Sequence, residues 1–94
     1  MEKIYEIYEI LLEEEFFQKY ILQRVSYIKI VKDEYLSITF FNKEYIRIYE
    51  DYILVYRDGK LEQHSEYSSY KNYEQYIYTI FDLIKIYFNI ARLD

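Results

Sequence analysis

The sequence predicts one α+β domain over residues 1–94: an N-terminal helix, an antiparallel β-meander of four or five strands, and a long C-terminal helix packed on one sheet face. Three observations predict it. Apolar residues recur every three to four positions at both ends of the chain and alternate with polar residues in the middle. A chain of 94 residues has room for only one hydrophobic core.

The first helix is predicted from Met1 to about Tyr20. Its inward side chains follow the 3.6-residue period of an α-helix, and they are Ile4, Ile7, Tyr8 and Leu11. Carboxylates recur at helical spacing on the opposite side, and they are Glu2, Glu6, Glu9 and Glu13. The pattern therefore predicts a helix with an acidic outer stripe.

Residues 24–57 have the period of two that is typical of strands. The predicted inward side chains are Ile28, Ile30, Leu36, Ile38, Phe40, Ile46, Ile48, Ile53 and Val55. Short polar breaks separate these runs, which favours antiparallel hairpins over longer parallel crossovers. Asp58 and Gly59 form the strongest turn signal, because this pair readily adopts the positive φ angles of a two-residue hairpin. A last short strand is expected from Leu61.

The second helix is predicted to begin near Ser69 or Asn72, either of which can cap its first turn, and to run to Ala91. Its main apolar side consists of Tyr70, Tyr73, Ile77, Ile80, Phe81, Ile84, Phe88 and Ala91. A second apolar set points elsewhere on the helical wheel, namely Tyr76, Leu83, Ile86, Tyr87 and Ile90. Either the first helix or a second copy of the chain must cover this set, which makes it a candidate dimer interface.

Residue counts exclude several classes of chemistry within one chain. His64 is the single histidine, Gly59 is the single glycine, and cysteine is absent. Sites with two imidazole ligands, thiolate metal sites and glycine-rich phosphate loops are therefore excluded. The pairs Asp33–Glu34 and Glu50–Asp51 offer oxygen ligands for a divalent cation, but solvated turns explain them more simply. We expect no catalytic residue, no metal, no cofactor and no enzyme activity.

Charge is distributed unevenly along the chain, which carries a formal net charge of −5. Residues 1–20 hold six of the seventeen acidic side chains and only two of the twelve basic ones. The acidic stripe Glu2, Glu6, Glu9 and Glu13 is one candidate partner-binding surface, because it would suit a basic, nucleic-acid-binding face of another protein. The alternative is that these carboxylates only keep an amphipathic helix soluble.

A second candidate surface lies on the predicted sheet, on the side opposite the inward residues. Its members are Tyr45, Arg47, Tyr49, Tyr52 and Tyr56. Tyrosine is enriched at protein interfaces, and rings beside a cation also resemble a platform for single-stranded nucleic acid. The net charge argues against direct nucleic-acid binding, since phosphate neutralisation supplies most non-specific affinity. A third alternative is that helices cover both faces of the sheet.

We expect a non-enzymatic acidic binding protein that acts by stoichiometric contact with a protein partner. Fifteen tyrosines and fifteen isoleucines reflect AT-rich codons, which suits a virus, phage or other mobile element. Such a protein could inhibit a host nucleic-acid-handling or defence complex, in the manner of an anti-CRISPR protein. The alternatives are a single-stranded nucleic-acid binder and a small homodimeric structural or regulatory protein. No secretory leader or membrane span is apparent, so we expect the cytoplasm, that of the host cell if the protein is viral.

Overall fold

A computed structural model of the chain describes residues 3–41, 43–66 and 73–88. It confirms the predicted α+β fold, with an N-terminal helix, one five-stranded antiparallel sheet and a C-terminal helix. The elements are α1 (Lys3–Glu13), β1 (Val25–Val31), β2 (Tyr35–Phe40), β3 (Tyr45–Tyr49), β4 (Tyr52–Arg57), β5 (Lys60–Glu66) and α2 (Tyr73–Phe88).

Helix α1 ends at Glu13, earlier than the predicted end near Tyr20. Three consecutive glutamates, Glu13–Glu15, lie at this end, where the helix dipole is negative and disfavours further negative charge. The chain then continues through a π-helical segment, Phe17–Ile21, and a 3-10 turn, Leu22–Arg24. Phe17 and Ile21 are buried, so this segment adds to the core although it is not an α-helix.

The strands follow one another in the sheet in chain order, each antiparallel to the next. Two of the hairpin turns depend on positive φ angles. Lys32 and Asp33 have φ of 54° and 58°, and Asp58 and Gly59 have φ of 54° and 74°. Positive φ at both central residues is the mark of a type I′ turn, whose twist matches that of the strands it joins. The Asp58–Gly59 hairpin and the strand that follows it are therefore present as predicted.

The core lies between the sheet and both helices. Ile4, Ile7 and Leu11 of α1 and Ile80 and Ile84 of α2 are buried in one cluster with the inward side chains of β2, β3 and β4. The predicted inward residues of these three strands are all buried, whereas Ile28 and Ile30 of the edge strand β1 are partly buried. Both helices thus cover the same face of the sheet, which gives a two-layer structure.

Helix α2 is buried on more than the one main apolar side that the sequence predicts. Tyr76 and Leu83 were assigned to a candidate dimer interface, but both are buried in the cluster that also contains the α1 side chains. The predicted helix boundaries at Ser69, Asn72 and Ala91 lie outside the described residues. No helix in the described part of the chain is both long enough and apolar enough to cross a membrane.

Candidate binding face

The candidate site is the face of the sheet that the two described helices leave open. We call this the outer face. Alternation along each strand sends one set of side chains to the core and the other set to the outer face. The tyrosines and the arginine predicted to share this face are half-buried, in contrast to the buried isoleucines between them. In the described part of the chain, helices therefore cover one face of the sheet and not both.

Strand register arranges the outer face in cross-strand rows. Tyr27 of β1 pairs with Thr39 of β2, which pairs with Tyr45 of β3. The next row is Lys29, Ser37 and Arg47, and the third is Val31, Tyr35 and Tyr49. The rows continue into β4, where Tyr56 pairs with Tyr45 and Leu54 pairs with Arg47. Residues far apart in sequence are thereby placed side by side.

Tyrosine rings stack on one another across the strands. The ring centroids of Tyr49 and Tyr52 are 4.2 Å apart with planes 11° from parallel, and those of Tyr45 and Tyr56 are 4.7 Å apart at 16°. Tyr35 lies on the other side of Tyr49, with centroids 4.8 Å apart and a tilt of 34°. Tyr49 is therefore held between two rings, one from each neighbouring strand.

Arg47 lies between the stacks. Its guanidinium carbon is 5.0 Å from the ring centroid of Tyr35, 5.4 Å from that of Tyr45 and 5.5 Å from that of Tyr56. Burial lowers the pKa of Arg47, but the neighbouring tyrosine oxygens and a hydrogen bond to Tyr49 outweigh it, so its pKa is raised. Cations held over ring faces within about 6 Å are attracted by the ring quadrupole. Arg47 thus remains charged and ties the two stacks together.

Stacking determines which part of each ring faces outward. The faces of Tyr49 contact other rings, and Tyr45 and Tyr56 contact each other and Arg47. Such rings stand on the sheet and present edges and hydroxyl groups, not open π-faces. The face therefore suits hydrogen bonding and lateral packing better than the insertion of a flat base.

A groove of about 420 Å³ runs beside the stacks, between β1 and β3. Its floor comes from the small side chains of Ser37 and Thr39 on β2, and larger side chains stand on both sides. The lining residues are Tyr27, Lys29, Val31, Tyr35, Ser37, Thr39, Lys43, Tyr45 and Arg47. Three of these are cations and none is acidic. The protein is acidic overall, yet this groove is cationic.

The groove cations, unlike Arg57 and Lys19, have no carboxylate partner among the described residues. Arg57 pairs with Glu44 at 3.3 Å, and Lys19 pairs with Glu15 at 3.4 Å. Among the described residues, no ion pair involves Lys29, Lys43 or Arg47. Lys29 instead lies over the ring of Tyr27, 5.4 Å from its centroid. The positive charge of the groove is therefore not neutralised by neighbouring acids.

The predicted acidic stripe lies on the helical layer, on the opposite side of the molecule from the outer face. Glu6, Glu9 and Glu13 are exposed on α1, and Glu2 lies outside the described residues. Glu14 and Glu15, directly after the helix, are exposed as well. The stripe and the outer face are thus two separate surfaces of unlike charge.

The predicted dimer set is divided by the structure. Tyr76 and Leu83 are buried within the chain, so they are corrected from interface candidates to core residues. The helical wheel placed them outside the sheet-facing side, but the hydroxyl of Tyr76 reaches the backbone carbonyl oxygens of Tyr49 and Tyr52 on the sheet. Ile86 is 70% exposed. Ile90 and the side chain of Tyr87 lie outside what the structure describes.

The remaining titratable residues lie apart from this face or at its margin. His64 of β5 is exposed, with its Nε2 3.9 Å from a carboxylate oxygen of Glu66 and its ring edge-on to Tyr52. Asp33 accepts a hydrogen bond from the hydroxyl of Tyr5 on α1. Over residues 3–41, 43–66 and 73–88, no group of three or more His, Cys, Asp or Glu side chains could hold a metal ion.

Sequence reasoning found the stacked tyrosines of β3 and β4 but missed the groove and the ring of Tyr35. The signal that could have found them is the pair Ser37 and Thr39, small residues at outward positions of a central strand. Chemically, the face offers rigid rings, outward hydroxyls and cations without carboxylate partners, which is a surface for binding. Comparisons with protein-family models, with curated proteins and with solved structures find no match for this chain.

Proposed function

We propose that this protein is a non-enzymatic binding module that contacts a partner protein stoichiometrically through its outer sheet face. The observation that carries the proposal is the stacked tyrosine array around Arg47 on a sheet face without a covering helix. A face of this kind combines apolar ring area with outward hydroxyls, as protein interfaces do.

Prior ordering of the side chains supports a binding role. An interface loses free energy when flexible side chains become fixed on binding, roughly 0.5–1.5 kcal/mol for each long side chain. Tyrosine has only two rotatable side-chain angles, and here Tyr45, Tyr49, Tyr52 and Tyr56 are already held by ring contacts. The outer face would therefore lose little further freedom when a partner docks.

A protein partner fits this face better than a single-stranded nucleic acid does. Base stacking needs accessible ring faces, and those of Tyr49 contact Tyr35 and Tyr52. A nucleic-acid strand also needs a continuous cationic track, while this chain has a net charge of −5 and exposed carboxylates on α1. These two features favour the protein partner.

The proposal includes the setting that the composition suggests. The protein would be encoded by a virus, phage or other mobile element, act in the cytoplasm of the host, and inhibit a host nucleic-acid-handling or defence complex. The acidic stripe would form a second contact, with a basic surface on that complex. Exposed carboxylates at Glu6, Glu9 and Glu13 are consistent with this contact.

The test is a comparative capture experiment. The immobilised protein is incubated with host lysate, and retained proteins are quantified by mass spectrometry for wild type, Tyr49→Ser and Arg47→Gln. Tyr78→Ser serves as the matched control, because Tyr78 is an exposed tyrosine on α2. We expect one partner, near equal stoichiometry, that both outer-face variants lose and the control keeps. Equal capture by all four proteins would refute the proposal.

Two further measurements test the contact made by the acidic stripe and the homodimer alternative. Reversing the charge at Glu6, Glu9 and Glu13, with folding intact, should weaken capture if the acidic stripe contacts the same partner. For the homodimer alternative, Ile86 is the exposed member of the predicted set in the described part of the chain. A light-scattering mass of one chain at micromolar concentration would rule the homodimer out.

A further inference from the structure

The middle row of the groove brings two cations and one hydroxyl together. Ser37 lies on β2, with Lys29 beside it on β1 and Arg47 beside it on β3. Ser37 is only 8% exposed although it belongs to the open face, and it is the buried polar residue among those that the structure describes. Among the described residues its hydroxyl has no hydrogen-bond partner. Buried polar groups are nearly always bonded to protein or to water, so this hydroxyl is available as a hydrogen-bond partner for a ligand that enters the groove.

The spacing of the strands suits a small anion at this point. Neighbouring strands lie about 4.8 Å apart, so the backbones of Lys29 and Arg47 are roughly 10 Å apart across β2. Both side chains are long enough to bring their charged ends over Ser37 from opposite sides. An anion held there would accept hydrogen bonds from an ammonium, a guanidinium and a hydroxyl.

The shape of the groove suits an extended chain. Its floor follows β2 from Tyr35 to Thr39, a distance of roughly 13 Å at the rise of a strand. That length accommodates about four residues of an extended peptide. Lys43 adds a third cation to the lining, and its backbone has a positive φ of 74°.

We propose that the groove between β1 and β3 binds an extended acidic segment of the partner protein, with one carboxylate seated over Ser37 between Lys29 and Arg47. The inference rests on the proposed function, since it takes the outer face as the contact surface. It adds the chemistry that the partner must present, which is alternating acidic side chains on an extended strand.

Charge complementarity favours this occupant over a nucleic-acid strand. The three groove cations have no carboxylate partner among the described residues, so a few carboxylates would neutralise them. A nucleic acid extends its charge well beyond the groove, where it would meet an acidic protein. A short acidic segment does not.

The probe is a short peptide of alternating glutamate and threonine, titrated into the ¹⁵N-labelled full chain at low salt. A glutamine–threonine peptide of equal length is the control for charge, and an oligothymidylate of similar length is the nucleic-acid competitor. We expect shifts concentrated at Ser37, Thr39 and Arg47 with the acidic peptide alone. Equal binding of the glutamine peptide, or tighter binding of the oligothymidylate at the same residues, would overturn the inference.

Substitutions in the groove test where the carboxylate of the acidic peptide binds. Lys29→Gln is expected to lower the affinity for the acidic peptide about tenfold, because it removes a charged hydrogen-bond donor. Lys29 is exposed, so the substitution should leave folding unchanged. Ser37→Ala should lower the affinity for the acidic peptide a few-fold. Lys60→Gln is the matched control, because Lys60 is an exposed lysine of the β4–β5 hairpin outside the groove lining. Equal affinities for the Lys29 and Lys60 variants would contradict the site.

The two proposals fail differently. If Tyr49→Ser abolishes capture of the partner but the acidic peptide does not bind, the outer face is the contact surface and the groove inference is wrong. If the peptide binds the groove but neither Tyr49→Ser nor Lys29→Gln changes partner capture, the proposed function is wrong.

Discussion

The hydroxyl of Tyr76 on α2 donates a hydrogen bond to the carbonyl oxygen of Tyr49 on β3, at 2.5 Å. The same hydroxyl lies 2.9 Å from the carbonyl oxygen of Tyr52, at the start of β4. These two carbonyls flank the β3–β4 turn, and the side chains of the same two residues stack on the outer face. The helical layer therefore holds, through one buried hydroxyl, the backbone that positions an outer-face stack.

Tyr76→Phe tests this connection. We expect the free energy of unfolding to fall by about 1–3 kcal/mol, because the two carbonyl oxygens lose the single hydroxyl proton that they share at a buried site. Urea denaturation measures the loss, and near-ultraviolet circular dichroism reports whether the stack is disturbed. Tyr78→Phe is the control, since Tyr78 is 58% exposed and should change stability by no more than about 0.5 kcal/mol. Similar losses in both variants would show that the bond is unimportant.

Arg47→Gln should lower the free energy of unfolding by about 1 kcal/mol. The change removes one guanidinium that three tyrosine rings share, and a cation–π interaction contributes about 0.5–1 kcal/mol at an exposed site. Chemical denaturation measures the effect, with Lys60→Gln as the control for loss of one positive charge. If Arg47→Gln has the same free energy of unfolding as wild type, the rings stack without help from the cation.

Gly59→Ala tests the β4–β5 hairpin. Gly59 has φ of +74°, and a Cβ atom there would meet no other atom within 4 Å. The expected loss of roughly 1–2 kcal/mol therefore comes from backbone strain and not from a clash. Thermal or urea unfolding measures it, with the exposed neighbour Lys60→Ala as control. A neutral Gly59→Ala result would indicate that the turn relaxes to another conformation.

Alkaline pH should weaken the outer face through Tyr52. Partial burial raises the pKa of Tyr52 above its ordinary value of 10.0, and the proximity of Tyr49, Asp51 and Glu34 adds to the shift. The folded state thus holds this proton more tightly than the unfolded state does. Its contribution to stability is full below pH 10.0 and is lost as pH rises through the folded-state pKa.

The measurement is a spectrophotometric titration that follows the formation of tyrosinate. The difference between the curves of wild type and Tyr52→Phe gives the ionisation of Tyr52. Melting temperatures of both proteins over the same pH range follow the loss of stability. We expect wild type to lose more stability than the variant as Tyr52 ionises. A Tyr52 step at or below 10.0 would contradict the assigned environment.

The strands were predictable because burial on one side of a sheet produces a period of two, as Ile46, Ile48 and Ile53 show. The Asp58–Gly59 turn was predictable because few residue pairs accept positive φ. The end of α1 was predicted too late, since the apolar spacing continues past Glu13 while the chain there changes to a π-helical segment and a 3-10 turn. Tyr76 was misplaced because its position depends on carbonyls of the β3–β4 turn, distant in sequence.

The candidate site was predictable only in part for a related reason. Tyr45, Tyr49, Tyr52 and Tyr56 belong to consecutive strands, so alternation alone places them on one face. The groove needs three strands in a fixed register, and no local pattern joins Lys29 to Ser37 and Arg47. Lys32, Asp33 and Lys43 lie in the connections between these strands with positive φ angles that their residue types do not predict.

The exposed glutamates of α1 and the cationic groove between β1 and β3 lie on opposite sides of this small protein, so negative and positive charge are separated along the line between them. In the field of a charged partner such a molecule rotates before it touches, so the layers influence how fast a complex forms as well as how long it lasts. Added salt should slow that approach.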